Sequence, residues 1–187
     1  MSRFFLKRVL FTASFAMLVQ FGFAQKTFQL EAKPNLKVSG TSTLHDWEMP
    51  SSTATGSMTA TETAGKLTEI KSLTVTMPAE TIKSGKSAMD KKAYEAMKTN
   101  KHKNVVFTLK SASKSGDTWT LTGTFNIAGS TKSVSLKAKE TASGGVYGLS
   151  GSYSFKLSEY GITPPTAMMG TIKTGDDVKI SFNVKFK

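Results

Sequence analysis

The sequence predicts an all-β protein: an antiparallel β-barrel of eight or nine strands with one short helix inserted. After residue 24, apolar and polar residues alternate with period two, and turns containing glycine separate the alternating runs. Because successive side chains of a strand point to opposite faces, each run has one apolar face and one solvated face. A sheet of this size with one apolar face curls into a barrel or splits into a sandwich. The large aromatic residues favour the barrel, and the sandwich stays open as an alternative.

Composition limits the size of the protein and its chemistry. The 187 residues suit one domain, and 12 phenylalanines supply enough apolar bulk for a core. The absence of cysteine excludes a disulfide framework, a thiol nucleophile and a cysteine-ligated metal. With only two histidines, a histidine-rich metal site is excluded as well, and no metal ligands are predicted.

Residues 1–24 have the pattern of a secretory signal peptide. Arg3, Lys7 and Arg8 form a basic start, residues 9–23 are mostly apolar, and Gly22 and Ala24 are the small residues before a cleavage site. The apolar run is shorter than the ~20 residues that span a bilayer. We therefore expect cleavage rather than a permanent membrane anchor, giving a periplasmic or secreted domain of residues 25–187.

The alternating runs place the expected strands. The longest are residues 118–127, 147–158 and 178–187, and shorter ones are 73–77, 105–109 and 134–138. Residues 115–117, 128–130, 143–145 and 174–176 contain glycine and are expected to be turns. Asp176 and Asp177 are expected to close the last of these hairpins.

A single helix interrupts the strands. It is expected to begin with Ser87 as its N-cap, with acidic Asp90 three residues later. Such a helix could cover one end of the barrel or serve as an ordinary crossover. Its apolar face would consist of Met89, Ala93, Ala96 and Met97.

The histidines offer little support for catalysis. His45 and Asp46 are adjacent, but neighbours on a strand point to opposite faces, so the pair does not itself build a proton relay. A turn contact is the favoured interpretation for His45, and hydrolase or isomerase chemistry is the less favoured one. His102 lies between two lysines and is expected to be solvated. No catalytic residues are predicted.

The inward aromatic and methionine side chains could be plain core or could line a cavity for a conformable apolar ligand. A basic segment around the helix could bind an anionic head group or contact an anionic membrane surface, with Lys83, Lys86 and Lys91 as the head-group candidates. Nucleic acid is a poor candidate because residues 25–187 contain no arginine. The candidate lining residues are Trp47, Met77, Met97, Phe107, Trp119, Phe125, Tyr153, Phe155 and Met168.

Several short motifs follow one another along the chain, at residues 37–47, 81–85, 89–91, 103–107, 121–134 and 160–162. Their order resembles the YceI-like family, exported lipocalin-like barrels that bind polyisoprenoid lipids. The resemblance implies an interior that holds an isoprenoid lipid or its quinone, with no other cofactor. A ligand-free structural or interaction barrel of the cell envelope is the alternative. One departure is Leu157, which stands where the family pattern carries an arginine.

Overall fold

Eleven β-strands and one α-helix form within residues 25–187, the part of the chain that the computed structural model describes. Residues 1–24, the expected signal peptide, lie outside it. The predicted all-β barrel with one helix is confirmed: eight strands are long, and three short ones extend the sheet. The elements are β1 (Gln25–Gln29), β2 (Asn35–Ser42), β3 (Trp47–Ser51), β4 (Thr55–Thr63), β5 (Lys66–Pro78), α1 (Ser87–Met97), β6 (Asn104–Ser115), β7 (Thr118–Ile127), β8 (Ser130–Ser143), β9 (Val146–Lys156), β10 (Thr166–Ala167) and β11 (Ile172–Phe186).

The strands form one antiparallel sheet in the order β1-β4-β5-β6-β7-β8-β9-β11-β2-β3, and β10 pairs with β11. The backbone after β1 closes the sheet on itself. The Gln29 and Glu31 amides each donate a 2.8 Å hydrogen bond, to the carbonyls of Lys187 and Lys185 respectively. A bridge between Leu30 and Phe186 lies between these two bonds. Closure leaves few unpaired strand edges. It also gives each strand one face inside the barrel and one in solvent, which explains why period-two alternation dominates the sequence.

The two ends of the barrel differ. At the end we call the floor, where β5, β7 and β9 begin, the carboxylate of Glu140 is buried and fully partnered. It accepts hydrogen bonds from the Trp119 indole at 2.6 Å and the Leu67 amide at 3.1 Å, and it pairs with the Lys114 ammonium at 2.7 Å. These contacts satisfy a buried charge and seal the floor.

A second carboxylate supports the floor. Glu62 accepts hydrogen bonds from the Tyr147 hydroxyl and the Lys26 ammonium. Burial first, and then the hydrogen bond to Glu62 and the negative charge of that carboxylate, raise the pKa of Tyr147 to about 12. The Tyr147 ring packs edge-on against Phe28 with ring centroids 5.1 Å apart. The neutral tyrosine therefore ties β1, β4 and β9 together.

Two expected details are wrong. Residues 174–176 are not a hairpin turn: β11 passes through them, with a register shift between Thr174 and Val178 against β2. The pairing with β2 is irregular across this shift, but the strand continues through it. Asp176 accepts hydrogen bonds from the Ser158 amide and hydroxyl at 2.8 and 2.6 Å, and Asp177 pairs with Lys156 at 3.0 Å.

The second wrong expectation concerns the start of α1, where Ser87 was expected to be the N-cap. Lys86 occupies the N-cap position without a side-chain cap, so Ser87 is already helical. Asp90 is buried and instead accepts hydrogen bonds from the amide and the hydroxyl of Ser84, each at 2.7 Å. Burial alone would raise the pKa of Asp90, but these two hydrogen bonds and the charge of Lys83 outweigh it and hold that pKa below 3.8.

Candidate ligand-binding cavity

A cavity of about 390 Å³ lies at the end of the barrel opposite the floor; we call it the mouth cavity. Its size falls within the range of small-molecule sites. Most of its lining is apolar and comes from α1, β2, β3 and the segments around β10. The lining residues are Val38, Ser42, Leu44, His45, Trp47, Met49, Ile82, Lys86, Ala88, Met89, Lys92, Ala93, Ala96, Met97, Leu157, Ile162, Pro165, Thr166, Ala167, Ile172 and Thr174.

The helix forms one wall of this cavity because the segment before it is fixed to the barrel. The Lys83 amide donates to the Pro50 carbonyl at 3.0 Å, which joins this segment to β3. From α1, the Tyr94 hydroxyl reaches the carbonyls of Ile82 at 2.7 Å and Glu80 at 3.0 Å. These bonds hold the apolar face of α1 over the opening. All four residues of the predicted helix face, Met89, Ala93, Ala96 and Met97, line the mouth cavity.

A second, smaller cavity of about 90 Å³ lies deeper in the barrel; we call it the deep cavity. Val38 and Ile82 line both cavities, so the two adjoin there. The deep cavity is smaller than the ~150 Å³ apolar void that accommodates benzene. An apolar chain therefore finds most of its room at the mouth and reaches further only if side chains of the deep cavity move.

Two phenylalanines narrow the deep cavity by leaning over inward-facing glycines. A Cβ atom at Gly123 would lie 3.0 Å from Cζ of Phe107, and one at Gly151 would lie 2.8 Å from Cζ of Phe182. Both rings line the deep cavity. The glycines thus make room for the aromatic rings, and the rings occupy much of the width of the barrel.

The predicted lining residues separate into two groups. Trp47 and Met97 line the mouth cavity, and Met77, Phe107 and Phe125 line the deep cavity. The structure does not place Trp119, Tyr153, Phe155 or Met168 in the lining of either cavity.

Each of these four exceptions has a structural reason. Trp119 belongs to the sealed floor. The Tyr153 ring stacks between Phe125 and Phe155, with centroids 5.8 and 5.6 Å apart, and Phe155 packs against Tyr160. Met168 was expected inside, but its side chain is 73% exposed. It lies in the short turn after β10, beside the mouth cavity rather than within it.

The charged groups of the mouth are basic. Lys86 and Lys92 belong to its lining, and no carboxylate does. Of the three predicted head-group lysines, only Lys86 lines the cavity. The Lys83 ammonium lies 5.4 Å from the centre of the Tyr94 ring, and that tyrosine is the main reason that the pKa of Lys83 is raised. Lys91 is not part of the lining, because Lys92 and Ala93 are the residues three and four positions after Met89 on the inward face.

Each of the two histidines contacts neighbouring residues of the fold. Nδ1 of His45 lies 2.6 Å from the Asp46 carbonyl oxygen, and the Ser42 hydroxyl donates to the His45 carbonyl at 2.7 Å. This is the turn contact that the sequence favoured. The expectation of a solvated His102 is wrong, because its half-buried ring packs over Gly129 in the β7–β8 turn. Gly129 has φ +80°, and a Cβ there would lie 2.3 Å from Cε1 of the ring.

The sequence analysis missed several lining residues. Leu44, Pro165 and Ile172 lie in turns or at a strand end, where no periodic pattern marks the inward side. Within residues 25–187, no three His, Asp or Glu side chains gather as metal ligands, and no helix is long and apolar enough to cross a membrane.

Comparison with known proteins identifies the family to which the chain belongs. The model of the YceI-like domain matches residues 31–186, which is most of the chain. The chain belongs to the YceI-like family. No curated protein sequence matches it significantly.

Solved structures of other proteins share the fold at low identity. The BcnA protein of Burkholderia cenocepacia has a TM-score of 0.69 and 14% identity, covering 82% of this chain and 96% of its own. A polyisoprenoid binding domain from Saccharophagus degradans has a TM-score of 0.66 and 11% identity, covering 86% and 97%. A YceI protein of Campylobacter jejuni has a TM-score of 0.52 and 24% identity, covering 63% and 72%.

The departure at Leu157 falls inside the site of this YceI-like family member. Leu157 lines the mouth cavity, where an arginine would introduce a permanent positive charge. Its neighbours in the lining include Ile162 and Pro165, which are also apolar. This side of the mouth is therefore apolar, and the basic groups lie on the side of α1.

Proposed function

We propose that this protein is an exported lipid-binding protein that holds the tail of a long isoprenoid-type molecule in its mouth cavity and barrel interior. The observation that carries the proposal is the mouth cavity of about 390 Å³, which is lined chiefly by apolar side chains and adjoins the deep cavity. The likeness of the fold to a domain described as polyisoprenoid binding supports it.

The hydrophobic effect supplies the driving force. Burial removes about 0.8 kcal/mol per CH₂ from the cost of exposing an apolar chain to water, so a five-carbon unit gains about 4 kcal/mol when fully buried. Ordering a flexible tail offsets part of this gain. Methionines such as Met49, Met89 and Met97 adapt their shape to an irregular chain, so the lining suits isoprene branches without a rigid template.

The polar end of the ligand would remain at the mouth. Lys86 and Lys92 can donate to a quinone carbonyl or pair with an anionic head group, and no carboxylate in the lining opposes them. Residues 1–24 support the exported location because they have the pattern of a signal peptide. In an aqueous compartment outside the cytoplasm, a prenyl lipid needs such a shielded carrier.

Tryptophan fluorescence tests the proposal with a short-tailed prenylated benzoquinone as the probe. The chain contains two tryptophans: Trp47 lines the mouth cavity, and Trp119 lies in the floor. We expect saturable quenching that is largely lost in Trp47→Phe, because the remaining indole lies at the opposite end of the barrel. Competition by a non-quenching prenyl phosphate would show that the tail, rather than the quinone ring, is recognised.

A cavity-filling variant supplies the control. Ala93→Phe places a ring in the mouth cavity, whereas Ser87→Phe adds the same ring to an uncharged, exposed position on the same helix outside the lining. We expect at least about tenfold weaker binding for the first variant, equal to 1.4 kcal/mol, and unchanged binding for the second. Equal binding by both variants would place the ligand outside the mouth cavity and overturn this site. No binding by the unmodified protein would replace the carrier with the ligand-free envelope barrel.

A further inference from the structure

The exposed large apolar side chains of residues 25–187 cluster at one place. They are Leu44 and Met168, which are 65% and 73% exposed, and Met169, which is fully exposed. Leu44 lines the mouth cavity, and the two methionines lie between Ala167 and Ile172, which also line it. An apolar cluster at the rim of an apolar cavity indicates a contact surface rather than scattered surface residues.

Backbone contacts hold the two halves of this cluster together. The Thr43 amide, next to Leu44, donates to the Lys173 carbonyl at 2.9 Å. The Lys173 amide returns a hydrogen bond to the Thr43 hydroxyl at 3.1 Å. The turn that carries Leu44 is therefore fixed beside the turn that carries the methionines.

The methionines have an unusual backbone. Met168 and Met169 have φ values of 50° and 54°. Residues other than Gly, Asn and Asp rarely adopt this left-handed backbone conformation. Two such residues in succession are held in place only by the surrounding structure. Their side chains project into solvent although the cavity lies beside them. This geometry presents apolar groups outward, where they gain nothing unless something apolar covers them.

The charge beside the cluster indicates what covers it. Lys86 and Lys92 lie on the α1 side of the same mouth, and no carboxylate lines it. Glu95, outside the lining, reaches Lys92 at 3.9 Å, but both side chains are more than half exposed, so this pair is weak and leaves the lysine available. A second copy of this chain would bring the same lysines against one another, so the charge disfavours self-association through this face. An anionic lipid surface attracts the lysines and also offers an apolar layer to the methionines and the leucine.

We propose that this mouth patch, formed by Leu44, Met168, Met169, Lys86 and Lys92, docks on the surface of an anionic lipid bilayer. The role of this docking rests on the proposed function. Because the docked mouth faces the bilayer, a prenyl tail passes between the membrane and the cavity without crossing water. The docking itself is a property of the surface and does not require a bound ligand.

Vesicle flotation tests the docking with the ligand-free protein lacking residues 1–24, whose remaining residues form the complete barrel. The probes are vesicles of phosphatidylcholine alone and of phosphatidylcholine mixed with phosphatidylglycerol. We expect binding to the mixed vesicles, weakened by added salt because surface charges are screened. The triple variant Leu44→Ser/Met168→Ser/Met169→Ser should lose binding, and because all three side chains are exposed it should fold normally.

A matched pair of lysine variants separates the patch from net charge. Lys86→Gln/Lys92→Gln should bind mixed vesicles roughly 30-fold more weakly, from about a five- to sixfold loss per lysine. Lys66→Gln/Lys185→Gln removes the same charge from exposed positions at the floor and should bind as the unmodified protein does. Equal losses in both pairs, or full binding by the triple variant, would overturn the docking.

Two further outcomes are decisive. A dimer in sedimentation analysis that the triple variant abolishes would assign the patch to a second copy and overturn the proposal. Quinone titration in the absence of vesicles distinguishes the two proposals. A protein that binds the quinone but not vesicles overturns the docking alone, and one that binds vesicles but not the quinone overturns the carrier function alone.

Discussion

Replacing Lys114 with methionine should destabilise the barrel from its floor. The Lys114 ammonium lies 2.7 Å from Glu140 Oε2 and also donates to the Leu67 carbonyl at 2.6 Å. The Glu140 side chain is only 5% exposed, so the variant leaves a buried carboxylate without its cation. Breaking such a pair from one side costs about 3–5 kcal/mol. Because the Trp119 indole and the Leu67 amide still donate to Glu140, we expect the lower end, about 3 kcal/mol.

That loss is large enough to measure. For a domain of this size, each kcal/mol lowers Tm by about 2–4 °C, so Lys114→Met should melt about 6–12 °C lower. Urea unfolding monitored by fluorescence would give the same difference in free energy. The matched control is Lys139→Met, because the Lys139 ion pair with Asp117 spans 3.5 Å and both side chains are mostly exposed. Exposed pairs contribute about 1 kcal/mol at most.

Two results would refute this reasoning. If Lys114→Met were as mild as Lys139→Met, the Glu140 carboxylate would not depend on its cation, and the floor would not be a sealed, low-dielectric end. Adding Glu140→Gln to Lys114→Met should recover part of the lost stability, because the uncompensated charge is removed and the amide oxygen can still accept from the Trp119 indole. The recovery is only partial, because glutamine has one acceptor oxygen and the Leu67 amide then loses its partner. A further loss in the double variant would also contradict the account.

Two other perturbations test separate parts of the structure. Gly123→Val should destabilise the protein by several kcal/mol or prevent folding, because a Cβ there would lie 2.3 Å from the Thr108 carbonyl oxygen. The midpoint of urea unfolding measures this loss. A mild loss of stability would contradict the close packing of the two strands. Asp90→Asn should reduce stability most above pH 4. The pKa of Asp90 is held below 3.8, so its stabilisation is fully present above that pH and is lost as the pH falls through the native pKa. Urea unfolding at pH 7 and pH 3 should show the variant and the parent converging at the lower pH, and a constant difference would contradict the role of the Asp90 charge.

Period-two alternation predicted the antiparallel sheet because long strands such as β7 and β8 bury one face. The large aromatic residues then favoured a barrel over a sandwich. The same pattern identifies which residues point inward but not their height along the barrel axis. Trp119 and Phe125 share one face of β7, yet Trp119 seals the floor and Phe125 lines the deep cavity. Height depends on how the strands are staggered, which becomes visible only in pairings such as Trp119 with Ala138.

The mouth was harder to predict than the barrel. The helical spacing correctly identified the face of α1 that lines the cavity, but the lysines on either side of that face differ by a single residue, and Lys92 rather than Lys91 belongs to the lining. Leu44 and Ile172 contribute from a turn and a strand end, where side-chain direction follows local hydrogen bonds rather than any repeat. The prediction that Met168 lines the cavity differs most from the structure, because its backbone is left-handed and its apolar side chain lies in solvent.

The most direct test of the central claim is native mass spectrometry of the protein purified without detergent, followed by organic extraction. The account predicts a stoichiometric apolar adduct, absent from Ala93→Phe and present in Ser87→Phe, with a mass that fits an isoprenoid chain or its quinone. A ligand-free mass for the unmodified protein that persists after incubation with prenyl lipids would contradict the account.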